Sequence, residues 1–179
     1  MGKLADSLGG IHHEGGGTVQ VNRWRMRRAM LRLIDELSPS PWAIETVVDR
    51  LASHLEREIW LVPWEFKQGP GLVSGVWVPA PVRDYIFYKR AVPAWRKEQI
   101  VGHELGHCLM NDTPRVHEWP EEIAQSLGDD LVGYQGRSDY EDVEEAEAER
   151  FGTAVRSIGQ SHRRLTEQSE LGRLKACLR

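Results

Sequence analysis

Apolar residues recur at helical spacing over 23–37, where Met26, Met30, Leu33, Ile34 and Leu37 share one face while Arg25, Arg28 and Arg32 lie on another. The pattern predicts an amphipathic helix with a basic side. Ile44, Val47, Val48, Leu51 and Leu55 form the stripe of a second helix, with Ser40 as its N-cap and Pro41 at its first position. The link between the two lacks the usual turn glycine, and strand-like sequence follows at once, so the pair is not read as a helix-turn-helix. Runs over 58–63, 72–78 and 84–89, separated by Gly, Pro and Gln, predict three strands. Trp60, Trp77, Tyr85, Phe87 and Tyr88 supply the aromatic bulk of a small antiparallel sheet. Helical periodicity resumes after Pro93 and holds to about 109. A polar stretch follows over 111–138, with a short helix at 121–127, and two more helices are expected over 140–158 and 163–178. The fold class is α+β.

Composition narrows the picture. Residues 1–20 hold six of the 17 Gly and few large apolar groups, which predicts a flexible tail ahead of one domain over 21–179. The pair His12-His13 belongs to that tail. A net charge of -4 and a pI near 6.0 argue against a protein that works by neutralising nucleic-acid phosphates, so no direct nucleic-acid binding is expected. No apolar run approaches the roughly 18 residues of a membrane helix, and residues 1–20 lack the apolar stretch of a secretory signal. Cys108 and Cys177 form no C-x-x-C pair; reduced thiols in a cytoplasmic protein are the simplest expectation. The charge is unevenly spread. Between 118 and 149 there are twelve acidic residues against one basic residue, Arg137, whereas the first helix is basic.

The sharpest chemistry lies in the helix after Pro93, which reads His103-Glu104-Leu105-Gly106-His107, an H-E-x-x-H. At about 100° per residue, positions 103 and 107 are only about 40° apart round the helix, so both imidazoles can reach one metal ion. Glu104 stands close enough to serve as a base without being a ligand. Val101, Leu105, Cys108 and Leu109 point away from the two histidines and anchor the helix in a core. Cys108 is read as part of that core. Gly102 and Gly106 share a third face, each costing about 1 kcal/mol of helix propensity relative to Ala, and so predict close approach of another backbone.

A catalytic metal needs a third protein ligand. The segment over 141–149 offers six carboxylates. Phe151, Ala154, Val155 and Ile158 define an inward stripe, and with Phe151 as zero, Glu144 falls about 20° off it, Glu147 about 40° and Glu145 about 120°. Phase alone selects Glu144 or Glu147 and does not separate them.

Here the chain resembles a family. H-E-L-G-H, preceded by the strand Asp84-Tyr85-Ile86-Phe87-Tyr88 and followed by Glu147-Ala148-Glu149-Arg150-Phe151-Gly152, is similar to the ImmA/IrrE metallopeptidases, a gluzincin-like group whose third-ligand motif reads E-A-[D/N]-x-F-A. The resemblance covers about 45–158. It implies a zincin-like domain with the small sheet packed on the HExxH helix, one Zn²⁺ per chain, and ligands His103, His107 and Glu147. Glu149, Gly152 and the absence of Leu-Met-Pro over 153–160 depart from the pattern and bear on the shape of the cleft. The long connection between His107 and Glu147 fits a substrate-gating or partner-binding insertion.

The implied reaction is metal-assisted hydrolysis of a peptide bond, with Glu104 as general base and then acid. Glu144 could instead orient a ligand imidazole. Tyr134, Tyr140, His117 and His162 are candidate donors to the oxyanion. Members of the family often act beside a helix-turn-helix transcriptional regulator. A separately encoded protein of that kind is therefore the implied substrate or partner, in a mobile-element, stress or toxin–antitoxin switch. The alternative is a non-proteolytic zinc-containing regulatory or binding module that acts by complexing such a partner.

Overall fold

The structure, a computed structural model, describes residues 16–66, 74–110, 115–117, 123, 125, 127, 137–139 and 142–177. Helix α1 spans Gly16–Glu36 and α2 Ile44–Leu55; strands β1 Glu58–Trp64, β2 Gly75–Pro79 and β3 Arg83–Lys89 follow. Helix α3 is Ala94–Met110, β4 Arg115–His117, β5 Arg137–Asp139 and α4 Asp142–Cys177. The fold is α+β, as the sequence predicts.

Several boundaries differ from expectation, each for a local reason. Helix α1 begins at Gly16, inside the segment read as tail. No Gly or Pro stands between Thr18 and Ser38, so nothing interrupts the helix there, and the glycine-rich average over 1–20 concealed it. Ser40 does not cap α2. Its hydroxyl lies 3.4 Å from that of Thr166, while Ala43, in extended backbone, is the capping residue without a side-chain bond. The chain stays extended past Pro41 because Trp42 must first enter the core. The two helices expected over 140–158 and 163–178 form one, about 54 Å long at ~1.5 Å per residue. Gly159 does not break it. That glycine makes room for Trp42, whose ring a Cβ would meet at 2.6 Å.

The three-stranded sheet is mixed rather than antiparallel. Its order is β1-β3-β2, with β1 parallel to β3 (Ile59 beside Asp84, Leu61 beside Ile86) and β2 antiparallel to it (Trp77 beside Ile86). Strand β3 takes the centre because Asp84, Tyr85, Ile86 and Phe87 are buried on both faces, as a covered strand requires. One face meets α3 and the main core of Ile34, Val47, Leu51, Leu105 and Phe151. On the other face, Val76, Val78, Tyr85 and Phe87 pack with Ile123, and Leu127 joins them. The connection between α3 and α4 therefore contributes to the core instead of only looping out. Ile123, Gln125 and Leu127 are helical, within the expected short helix, and two stretches flanking it in sequence pair as the antiparallel β4–β5 ribbon, which sequence reading missed. His12 and His13 lie outside the described residues. Among the described residues no helix is long and apolar enough to cross a membrane.

Helices α3 and α4 run antiparallel and nearly touch. A Cβ on Gly102 would stand 3.0 Å from Gly152 Cα, and one on Gly106 3.1 Å from Ala148 Cα. The backbone contact predicted for the two glycines of α3 is thus with α4. Gly152, where the resembling family has Ala, answers to the same crossing, since a Cβ there would lie 2.7 Å from the Gln99 carbonyl and 2.9 Å from the His103 amide.

Candidate metal centre

The α3–α4 crossing decides which side chains meet. Ala148, Gly152 and Val155 face α3; with Ala148 as zero, Glu145 and Glu149 lie about 60° and 100° round one flank, Glu144 and Glu147 about 40° and 100° round the other. On α3, with Gly106 as zero, His103 and His107 lie about 60° and 100° round the flank that, in an antiparallel pair, adjoins Glu145 and Glu149.

The contacts follow this geometry. His103 Nε2 and His107 Nε2 face each other at 3.1 Å, with the rings edge-to-face. Glu145 Oε2 is 3.5 Å from His103 Nε2 and Glu145 Oε1 is 3.7 Å from His107 Nε2. Three donors about 2.0–2.1 Å from one tetrahedral ion stand roughly 3.3–3.4 Å apart. Glu145 presents a different oxygen to each ring; with one ligand atom taken from each residue, the three donors lie within 4.8 Å of one another, and the donor chemistry, two imidazoles and a carboxylate, suits a divalent cation. His103, His107 and Glu145 can hold a metal ion. His107 is fully buried, whereas the Glu145 side chain is half exposed, so the site opens on the Glu145 side.

The electrostatics of the group follow from its burial. Burial, helped by the neighbouring His107, pulls His103 down to about 4 against the opposing pull of Glu149, so its imidazole is neutral and able to donate a lone pair. Glu104 is buried against β2. Its Oε2 accepts the Trp77 backbone N–H at 2.9 Å. Lys89 N–H donates to Ser74 O and Ala80 N–H to Arg83 O, which turns the N–H and C=O groups of Gly75 and Trp77 away from β3, to the edge of β2 that pairs with no other strand among the described residues. Gly75 gives Glu104 room, since a Cβ there would meet Ile100 Cγ2 at 2.6 Å and Glu104 Oε1 at 2.7 Å. Burial lifts Glu104 to about 8; the Trp77 amide opposes the shift and the charge of Glu145 adds to it.

The remaining candidates are elsewhere. Glu147 Oε2 is 2.6 Å from Arg27 Nη1 of α1, and its Oε1 meets Arg150. Glu144 lies 3.9 Å from Arg23. Glu147 therefore meets α1, and Glu144 approaches it at longer range. His162 is not at the centre: it is about 25 Å along α4 from Glu145 at ~1.5 Å per residue, and its Nε2 pairs with Asp35 at 2.8 Å. Tyr134 and Tyr140 lie outside the described residues, as does the side chain of His117, whose backbone belongs to β4. Cys108 is core, as expected, with its thiol 3.7 Å from Asp84 Oδ2 and pushed up by burial.

Sequence reasoning missed Glu145, Glu149 and the Trp77 amide. The signal for the first two was present. Matching Gly102-x-x-x-Gly106 to Ala148-x-x-x-Gly152 sets the zero of phase at Ala148, and from there the two carboxylates fall on the histidine side. No family model, curated protein or solved structure matches the chain.

Proposed function

We propose that this protein is a zinc-dependent endopeptidase. The observation that carries the reading is the meeting of His103, His107 and Glu145 beside a buried glutamate, Glu104, that has no cationic side chain near it among the described residues. His103, His107 and Glu145 would hold the metal, which when bound supplies a Lewis acid that acidifies water and polarises a peptide carbonyl. Glu104, aimed by the Trp77 amide, takes the proton of the attacking water and returns it to the leaving amine. The outer edge of β2, unpaired by any strand among the described residues, leaves the Gly75 backbone groups and the Trp77 carbonyl for an extended segment of substrate, which favours an unfolded loop or linker over a packed domain. The H-E-L-G-H motif and the resemblance to the ImmA/IrrE metallopeptidases support the same activity and point to a helix-turn-helix regulator as substrate.

The reading departs from that resemblance at one residue. Glu147 is the family's ligand position, but here it is on the α1 flank of the crossing. Glu145→Gln should lose zinc and Glu147→Gln keep it; the reverse result returns the ligand to Glu147. Function is tested by incubating the zinc form with a candidate helix-turn-helix regulator and looking for discrete fragments. Glu104→Gln should retain zinc and give none, and His103→Ala should lose the metal. A tight complex without fragments under several conditions would replace the peptidase with a zinc-containing binding module.

A further inference from the structure

The side of α3 that carries His103 ends, toward the start of the helix, in a cation that neither the metal centre nor Glu104 uses. Arg96, Gln99 and His103 follow at i, i+3 and i+7. The row lies between β2 and α4: Arg96 Nη2 is 3.5 Å from Ser74 Oγ, just ahead of β2, and Gln99 Nε2 donates to Glu149 Oε1 of α4 at 2.9 Å. Arg96 Nη1 donates to Gln99 Oε1 at 3.1 Å, so both of its contacts are neutral. Arg57 and Arg163 each grip a buried carboxylate, whereas Arg96 has no carboxylate within 4.0 Å among the described residues. A second guanidinium stands at the same end. With Ala148 as zero, Arg156 lies about 80° round α4, on the flank of Glu145 and Glu149, and its Cζ is 4.7 Å from the ring centre of Trp95, the chain neighbour of Arg96. It too has no carboxylate partner among the described residues. Stacking on an aromatic ring holds a guanidinium flat and leaves its edge donors to a ligand.

We infer that Arg96, with Arg156 on the facing helix, is a subsite for a carboxylate of the substrate, carried about three residues from the bond that is cut. This rests on the peptidase reading above. The outer edge of β2 begins beside Ser74, which Arg96 approaches, and runs to Trp77, whose N–H meets Glu104. An extended chain laid along that edge passes from the reacting end to Arg96. Arg96 precedes His103 by two helical turns, about 10 Å at ~1.5 Å per residue, which is the length of about three residues of extended chain. A guanidinium has five N–H groups in a fork that fits both oxygens of a carboxylate, and the two present contacts are with uncharged acceptors. A carboxylate is the stronger partner, since a charge-assisted hydrogen bond is roughly twice as strong as a neutral one.

The test gives the full zinc-loaded chain pools of short random peptides, acetylated and amidated at their ends, that contain either Glu or Gln in its place. Mass spectrometry of the new ends locates each cut. Glu should be enriched at one position about three residues from the cut bond, and peptides with Glu there should be cut about 10-fold faster than their Gln counterparts. Arg96→Met should remove that advantage and Arg156→Met reduce it. Arg96→Glu should replace it with a preference for Lys, a reversal that damage to the fold does not produce. Pools with free C-termini separate the two sources of a carboxylate: Arg96-dependent cutting at a fixed distance from the end assigns the subsite to the terminal carboxylate instead of an acidic side chain. Equal cutting with and without a carboxylate from either source, or a preference that survives Arg96→Met, overturns the inference. Should no peptide be cut, the peptidase reading falls by itself, and fluorescence anisotropy with dye-labelled pools still decides the subsite. Tighter binding of the Glu pool that is lost in Arg96→Met upholds it; equal binding, or none, overturns it.

Discussion

Glu98 and Glu104 sit six residues apart on α3 and are equally buried, yet their surroundings are opposite. Glu98 receives both Nη atoms of Arg163, at 2.6 and 3.1 Å, and the Trp42 indole N–H at 3.2 Å. Asp84 is matched likewise, by a two-pronged Arg57 at 2.6 and 2.8 Å. Glu104 receives one backbone amide. A buried carboxylate without a cation is costly unless it keeps its proton or a cation arrives from outside. Of the three buried carboxylates among the described residues, Glu98 and Asp84 each have a guanidinium, and Glu104, beside the paired imidazoles, has none. That difference separates Glu104 from the acids that merely hold helices together.

The largest way to break the comparison is to make Glu98 resemble Glu104. Arg163→Ala leaves Glu98 with the indole alone and should cost about 3 kcal/mol, the low end for a broken buried pair because Arg163 is partly exposed. Urea denaturation measures it. Adding Glu98→Gln to that variant should recover much of the loss, since the stranded charge is then gone; no recovery would mean that Arg163 acts through packing along α4.

A middle-sized effect comes from Glu104 itself, in the metal-free protein. Its folded value of about 8 lies above the ordinary 4.5, so the native state holds a proton that the unfolded chain releases, and stability falls as pH rises from 4.5 to 8. His103, at about 4 against an ordinary 6.5, works the other way, and stability gained through it rises with pH from 4 to 6.5. The two oppose each other up to 6.5. Above that only Glu104 remains, and between pH 6.5 and 8 it should remove about 2 kcal/mol, at about 1.4 kcal/mol per pH unit. Glu104→Gln, which can still accept the Trp77 N–H, should flatten that decline. Thermal denaturation of chelator-treated protein at several pH values checks the slope.

These contrasts also show what the sequence could carry. The H-E-x-x-H spacing, the glycine face of α3 and the anchoring stripe through Leu105 were legible because helical phase is local. That Glu145 is the carboxylate meeting the two imidazoles was not, because phase referred to Phe151 points to Glu144 and Glu147. That ring is fully buried, but it lies about 60° from the line through Ala148 that faces α3, on the flank away from the histidines. Inward and toward the metal centre are different directions on a helix that packs against two partners. The mixed sheet escaped for a similar reason: strand order depends on where the link over 65–74 returns the chain, and alternation within a strand does not record that. The acidic segment and the basic helix were both visible, but that Arg27 and Glu147 meet each other is a tertiary fact.

The smallest expected effect therefore tests that last pairing. Arg27 and Glu147 are each about one-fifth exposed, and Glu147 keeps Arg150 when Arg27 is removed. Arg27→Met should cost no more than about 1 kcal/mol, as for an ion pair near the surface. It should leave Zn²⁺ affinity unaltered if Glu145 is the ligand, because the Arg27 pair is on the far flank of the α3–α4 crossing. If Glu147 were the ligand, Arg27 would compete with the metal for the same oxygen, and its loss would tighten Zn²⁺ binding. One conservative substitution, read by stability and by metal affinity together, thus separates a carboxylate that holds α1 in place from one that completes the metal centre.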